Sequence, residues 1–260
     1  MHDDLLTLPR SVVLALWARH VGAGAAPLQH AVRCVEGDDE PHAVVGGTPG
    51  AATGAADDTL AALLAAWAAG PRTVAAVLPV PGDPAGAPAS VSAAALDAGE
   101  CVLVQTPDGA VAAVPEVTVF GSALEPGHLV TWHVRPVEPW STALVGRVGS
   151  PAEAELELRH ALGSATEALT SLDVARWRPD AAAAIARLRG DEAPRWDLPA
   201  ELEPRRVRVL TLAARLRGIV ALATSDDGGA VNLWQADQRS TALREVDRAA
   251  RRAMSAVTVG

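Results

Sequence analysis

The sequence predicts an α+β protein, with an N-terminal mixed β-sheet and packed helices followed by a C-terminal four-helix bundle. Three observations carry this. Residues 1–145 switch repeatedly between the alternating period of strands and the 3.6-residue period of helices. The stretch Pro136–Gly149 interrupts that pattern with proline and glycine, and beyond it every segment has helical spacing. The chain's 260 residues fit one large domain or two small ones. The division falls between a mixed α/β domain at 1–145 and an all-helical one at 150–260.

Taken in order, Ser11–His20 reads as a short helix placed after Pro9 and ended near Gly22. His30–Glu36 alternates as a strand, and the acidic turn Gly37–Pro41 returns it into Ala43–Val45 as a hairpin. The Gly-, Ala- and Thr-rich stretch 46–56 has no period and reads as a loop. Asp58 is placed to cap a helix over Thr59–Ala69, which Gly70-Pro71 stops. Thr73–Leu78 is uncharged, as a strand buried on both faces would be, and runs into the proline-rich loop Pro79–Pro88. Ser90–Ala98 can form a short helix. The turn Thr106–Gly109 joins strands Cys101–Gln105 and Ala110–Val114, and further strands follow at Val117–Phe120 and Leu129–Val134. That makes about seven strands and three helices in this half.

In the second half, Ser150-Pro151-Ala152-Glu153 is a capping box with proline at the first helical position. Leu158, Leu162, Ala165, Leu169 and Leu172 follow at helical spacing, and Glu155 and Arg159 form a favourable i,i+4 pair. A second helix opens at Pro179 and closes on Arg187 and Arg189, a third spans about 204–224 and a fourth about 233–256. Leu243, Val246, Ala250 and Met254 form the inward stripe of the fourth.

Composition excludes more chemistry than it suggests. There are 55 alanines, one phenylalanine, no tyrosine and no lysine, so all 22 basic residues are arginine. The bias reads as the codon usage of a high-GC bacterial genome. Without lysine there is no phosphate-loop lysine, no Schiff-base lysine for pyridoxal phosphate and no kinase-type lysine. GxSxG, HExxH, EF-hand and CxxC signatures do not occur. The net charge is −9, with the acidic excess in the first half, which disfavours nucleic-acid binding by the whole chain. Cys34 and Cys101 are too far apart in sequence to suggest a disulfide framework or zinc spacing. The N-terminus is acidic where a signal peptide is basic, and no run reaches membrane-spanning length. A soluble cytoplasmic protein is expected, with no cofactor and no metal.

Asp83, in the loop Pro81–Gly86 beyond the most apolar strand, is the leading ligand-binding candidate, because ligands gather beyond strand ends in open sheets. A capping aspartate in a rigid turn is the plainer reading. In Trp132-His133-Val134-Arg135, alternation puts His133 and Arg135 on one face, where they could meet an anion. His30 and Cys34 share a face of the expected strand but lie about 13 Å apart along it, too far to hold one ion. Cys101 reads as a buried, inert thiol. Arg244, Arg248 and Arg251 form a basic stripe that could serve as an interaction surface or pair with the acidic half of the same chain. Trp17 and Trp67 read as core anchors.

Two functions are compatible with these residues. One is a non-catalytic scaffold or regulatory protein that binds a protein partner or a second copy of itself. The other is an enzyme or sensor holding a small polar or anionic ligand between the 81–86 loop and strand 129–135. The second requires that loop and strand lie near one another.

Overall fold

Residues 30–36 are helical, not extended, in the computed structural model of the chain. Helix α2 covers Leu28–Glu36 after Pro27 and buries Ala31, Val32 and Val35. The alternation misled because residues i and i+4 share a face in both periods, so seven residues cannot separate them. The structure describes residues 6–47, 59–122, 124–171, 194, 196–224 and 233–260.

Helix α1, Arg10–Gly22, buries Val12, Leu14, Leu16 and Trp17. Its N-cap residue, Pro9, offers no side-chain acceptor. Glu100 supplies one from far along the chain, accepting the Ser11 N–H at 2.7 Å. Strand β1, Ala43–Val45, follows α2. Most of the expected 46–56 loop, and Asp58, lie outside the described residues. Helix α3, Leu60–Ala68, is capped by Thr59, whose hydroxyl accepts the Ala62 N–H at 3.2 Å. Strand β2 is Thr73–Val77, and α4, Ser92–Ala98, follows a 3-10 turn at Ala89–Val91.

Strands β3, Cys101–Thr106, β4, Gly109–Gly121, and β5, Pro126–Val137, complete one five-stranded sheet ordered β1-β5-β4-β3-β2. Only β1 and β5 run parallel; the other neighbours are antiparallel. The sheet is therefore mixed, with five strands among the described residues in place of seven. The strands expected at 110–114 and 117–120 are one, continuous through Pro115. Their unbroken register, and the backbone bonds that Ser122 and Glu125 exchange at 3.3 and 3.1 Å, fix which groups face which neighbour. By antiparallel alternation the odd-numbered residues of β4 turn their N–H groups away from β5. The missing N–H of Pro115 thus falls on the outer side, where β3 has already ended.

Helix α1 packs on β2 and β3, and α4 on β4. Val74, Ala75, Val102, Leu103, Val111, Ala112 and Trp132 form the buried centre. Helix α5, Ser141–Val148, leads into α6, Pro151–Ser171, α7, Pro204–Thr224, and α8, Leu233–Thr258. At the α6 start Ser150 and Glu153 form the expected box, with bonds of 2.7 and 3.2 Å, and Arg159 meets Glu155 at 2.5 Å. Three helices therefore stand where a four-helix bundle is expected; the one expected at 179–189 lies outside the described residues. Helix α8 packs on α6, α7, α1 and β2, with Leu243, Val246, Ala250 and Met254 buried as its periodicity requires. Leu162 of α6 points outward, 40% exposed. Among the described residues no helix is long and apolar enough to cross a membrane.

The sheet edges are treated differently. Val74 on the β2 edge exchanges backbone hydrogen bonds with Gly260 at 3.0 and 3.3 Å, and Ala76 N–H donates to Thr258 Oγ1 at 2.9 Å. The short β1 edge meets Thr59 through a bridge at Ala43. Beyond Val114 the outer side of β4 has no neighbouring strand among the described residues.

Candidate functional site

Asp83 is committed within the chain. One carboxylate oxygen accepts the Ala85 N–H at 3.0 Å, holding Ala85 at a φ of 51°. The other accepts from Arg251 Nη2 at 3.0 Å. Burial pushes the Asp83 carboxyl up, but these bonds and the nearby Arg248 charge carry it below its ordinary value. Arg251 is 4% exposed and also donates to Leu78 O at 2.9 Å and to Asp247 at 2.7 Å. One guanidinium thus ties α8 to the loop after β2. Arg244, held by the Ser240 and Thr241 hydroxyls at 2.9 Å, and Arg248 are exposed, so the expected stripe divides between surface and interior.

His133 and Arg135 do share a face of β5, but His133 pairs with Glu116 of β4 at 2.7 Å. Strands β3 and β4 separate β5 from β2, three inter-strand spacings or roughly 14 Å. Asp83 therefore meets Arg251, and the structure does not bring it together with His133 and Arg135.

A partly buried polar network that the sequence did not single out lies against the other side of β5. Asp39 receives two bonds from Arg10, at 2.6 and 2.7 Å, and contacts His128 and His42, each at 3.2 Å. The fully buried His42 side chain accepts the Trp132 indole N–H on Nδ1 at 3.1 Å. Trp132 can only donate, so Nδ1 carries no proton and Nε2–H faces Asp39. Burial lowers the His42 pKa against the pull of Asp39. An Asp–His pair can activate a nucleophile, but here both ring nitrogens are engaged and the ring is enclosed. The signal in sequence was Asp39, His42 and Trp132, separated by distances that only the β1–β5 pairing closes.

Because α2 is a helix, His30 and Cys34 are neighbours, with Sγ 3.7 Å from Nε2. Burial and the charge of Asp197 nevertheless raise the Cys34 thiol pKa, the opposite of an activated nucleophile. Burial pushes Cys101 higher still. No cluster of three or more metal-ligating side chains occurs among the described residues.

Two surface features remain. A cleft of about 280 Å³ lies between the 86–90 segment and α5, lined by Ser90, Glu138, Trp140, Leu144 and Arg147. Trp140 Nε1 is buried and has no hydrogen-bond partner among the described residues. The second feature is the far half of the β4–β5 hairpin. Every residue of β4 from Glu116 to Gly121 is exposed, and Val117, Val119, Phe120, Leu124 and Leu129 place apolar side chains in solvent.

Comparison with protein families matches residues 11–145 to the Rv1486c-like protein, N-terminal domain, and residues 152–255 to the Rv1486c-like protein, C-terminal domain. The first match alone spans more than half of the chain. The chain belongs to the Rv1486c-like protein family. No curated protein and no solved structure matches it. Neither family description names an activity or a ligand. The Rv1486c-like N-terminal segment includes Asp39, His42, the hairpin arm and the cleft lining as far as Leu144, while Arg10 and Arg147 lie just outside it. The Asp83–Arg251 pair joins that segment to the C-terminal one.

Proposed function

We propose that this Rv1486c-like chain is a non-catalytic cytoplasmic scaffold or regulatory protein that works through protein contacts made by the β4–β5 arm. The observation that carries this reading is the arm's exposed apolar surface, with Val119 63% and Leu124 92% exposed. Single apolar residues are ordinary on a surface, but five exposed together on the two faces and tip of one hairpin support an interaction site. The polar groups with catalytic potential support it in another way. His42 and Asp39 satisfy one another, Asp83 is bound by Arg251, and the cysteine thiols are held protonated. In-cell photo-crosslinking from positions 119 and 129, with exposed Thr142 of α5 as control, tests it. Arm-specific cross-linked species are expected, and cross-linking equal to the control would refute the reading.

A second reading is favoured by the cleft. Arg147 and the unpartnered Trp140 N–H make it the best place for a small anionic ligand, and its volume sits at the lower end for small-molecule sites. Native mass spectrometry of freshly purified protein tests this. A retained small molecule that Arg147→Ala loses supports it, and an apo mass in both removes it.

A further inference from the structure

We propose that the open side of β4 pairs with β4 of a second copy, joining two sheets into one of ten strands. The inference rests on the arm being the contact surface and names its partner.

The odd residues of β4 direct N–H and C=O away from β5; at 109, 111 and 113 they face β3. Beyond the end of β3 the same row continues as Val117, Val119 and Gly121, facing solvent. Natural sheets blunt such edges with charge, proline, bulges or a covering segment. The β2 edge is covered by Gly260 and Thr258, and the β1 edge is short and bridged. From 117 to 121 (VTVFG) the β4 edge has no charge, no proline and no break in register.

A second copy of the same strand fits this edge when it runs antiparallel about a two-fold axis at Val119. Val119 then faces Val119 of the second copy, and Val117 comes level with Gly121, where a φ of 85° ends the extended row. Pro115, which has no N–H to give, lies beyond the paired row. Glu116 falls opposite Ser122 instead of its own counterpart, so no like charges face directly. The register also brings Leu124 level with Val114 of the second copy, where β3 begins. The exposed apolar side chains flank this edge on both faces of the hairpin, Val117 and Val119 on one and Phe120 on the other. A two-fold contact uses the same patch twice and closes at two copies.

Sedimentation equilibrium of the full chain across about 1–100 µM tests the pairing. A reversible dimer is expected. Val119→Pro should weaken it at least tenfold, because it removes both central N–H donors across the axis, while an outward N–H can be lost without disturbing β4–β5. Circular dichroism checks that the variant folds. In a Cys34→Ser background, Val119→Cys should form a disulfide dimer on oxidation. Facing Cα atoms in a hydrogen-bonded antiparallel pair lie about 5.5 Å apart, within disulfide range, whereas Thr118→Cys, offset by two residues, should not cross-link. A monomer at 100 µM, a dimer indifferent to Val119→Pro, or no Val119→Cys disulfide overturns the proposal. A monomer that still cross-links another protein from position 119 refutes self-pairing and leaves the arm reading standing.

Discussion

Replacing His42 with alanine should cost about 3 kcal/mol of folding stability, far more than any exposed histidine in the sheet. The magnitude follows from what each bond leaves behind. Trp132 is fully buried and its indole N–H has His42 Nδ1 as its acceptor, so the variant strands a buried donor at a cost of about 1–3 kcal/mol. The imidazole is itself enclosed, and its removal opens a void costing about a further 1–2 kcal/mol. Asp39 loses one bond but keeps both from Arg10, so it adds little. His133→Ala is the control. Its partner Glu116 is well exposed, and a surface ion pair contributes about 0–1 kcal/mol. Urea unfolding followed by tryptophan fluorescence reads both variants, with the m-value checked for a change in unfolding behaviour. A loss below about 1 kcal/mol for His42→Ala at constant m would refute the assignment of this network as the lock between the α2–β1 turn and β5.

The remaining expectations concern charge, backbone and the seam between the two halves. A histidine held below its ordinary pKa contributes stability that is complete above about pH 6.5 and declines as pH falls through the lowered value. Asp39 and Asp83, also lowered, add a second decline below about pH 4; thermal unfolding between pH 3 and 8 should show both, and His42→Gln should flatten the first. Glu100 has the opposite sign, since burial raises its pKa and its ionisation costs stability as pH rises, so Glu100→Gln should leave the protein equally or more stable at pH 7 by calorimetry. Gly46→Ala should weaken β1–β5 pairing in hydrogen exchange, because Gly46 has a φ of 106° and a Cβ there would lie 2.1 Å from the Val134 carbonyl oxygen. Arg251→Ala leaves the Leu78 carbonyl without its bond, while Asp83 keeps the Ala85 N–H and Asp247 keeps Arg217, and should cost about 1–3 kcal/mol while increasing exchange in the 78–86 loop.

Periodicity and punctuation made most elements legible in the sequence. The capping box at Ser150, the 204–224 helix and the β3–β4 hairpin each rest on local rules acting over a few residues. The strand expected at 30–36 failed because seven residues are too few to separate the two periods, residues i and i+4 sharing a face in both. That error had a chemical consequence, since it placed His30 and Cys34 about 13 Å apart when one helical turn brings them together. Pro115 was read as a boundary between two strands, and only strand order reveals that its missing donor falls on a side with no neighbour. The His42 network was illegible for a similar reason. Its members lie on α1, the α2–β1 turn and β5, and no local pattern encodes that convergence.

The Arg251 contacts bear on how the two family segments behave as one molecule. The segments meet between 145 and 152 in sequence, at a turn where Gly149 has a φ of 69°, so the chain itself imposes little rigidity there. Rigidity comes instead from contacts that cross the boundary: α8 on β2, Gly260 and Thr258 on the β2 edge, and Arg251 in the loop beyond it. All of them fall on one side of the sheet. The β4–β5 arm lies beyond the end of β3, with β3 between β4 and the β2 edge, and takes no part in those contacts. A contact made at the arm can therefore form without breaking the seam, which suits a protein that keeps its own fold intact while it binds.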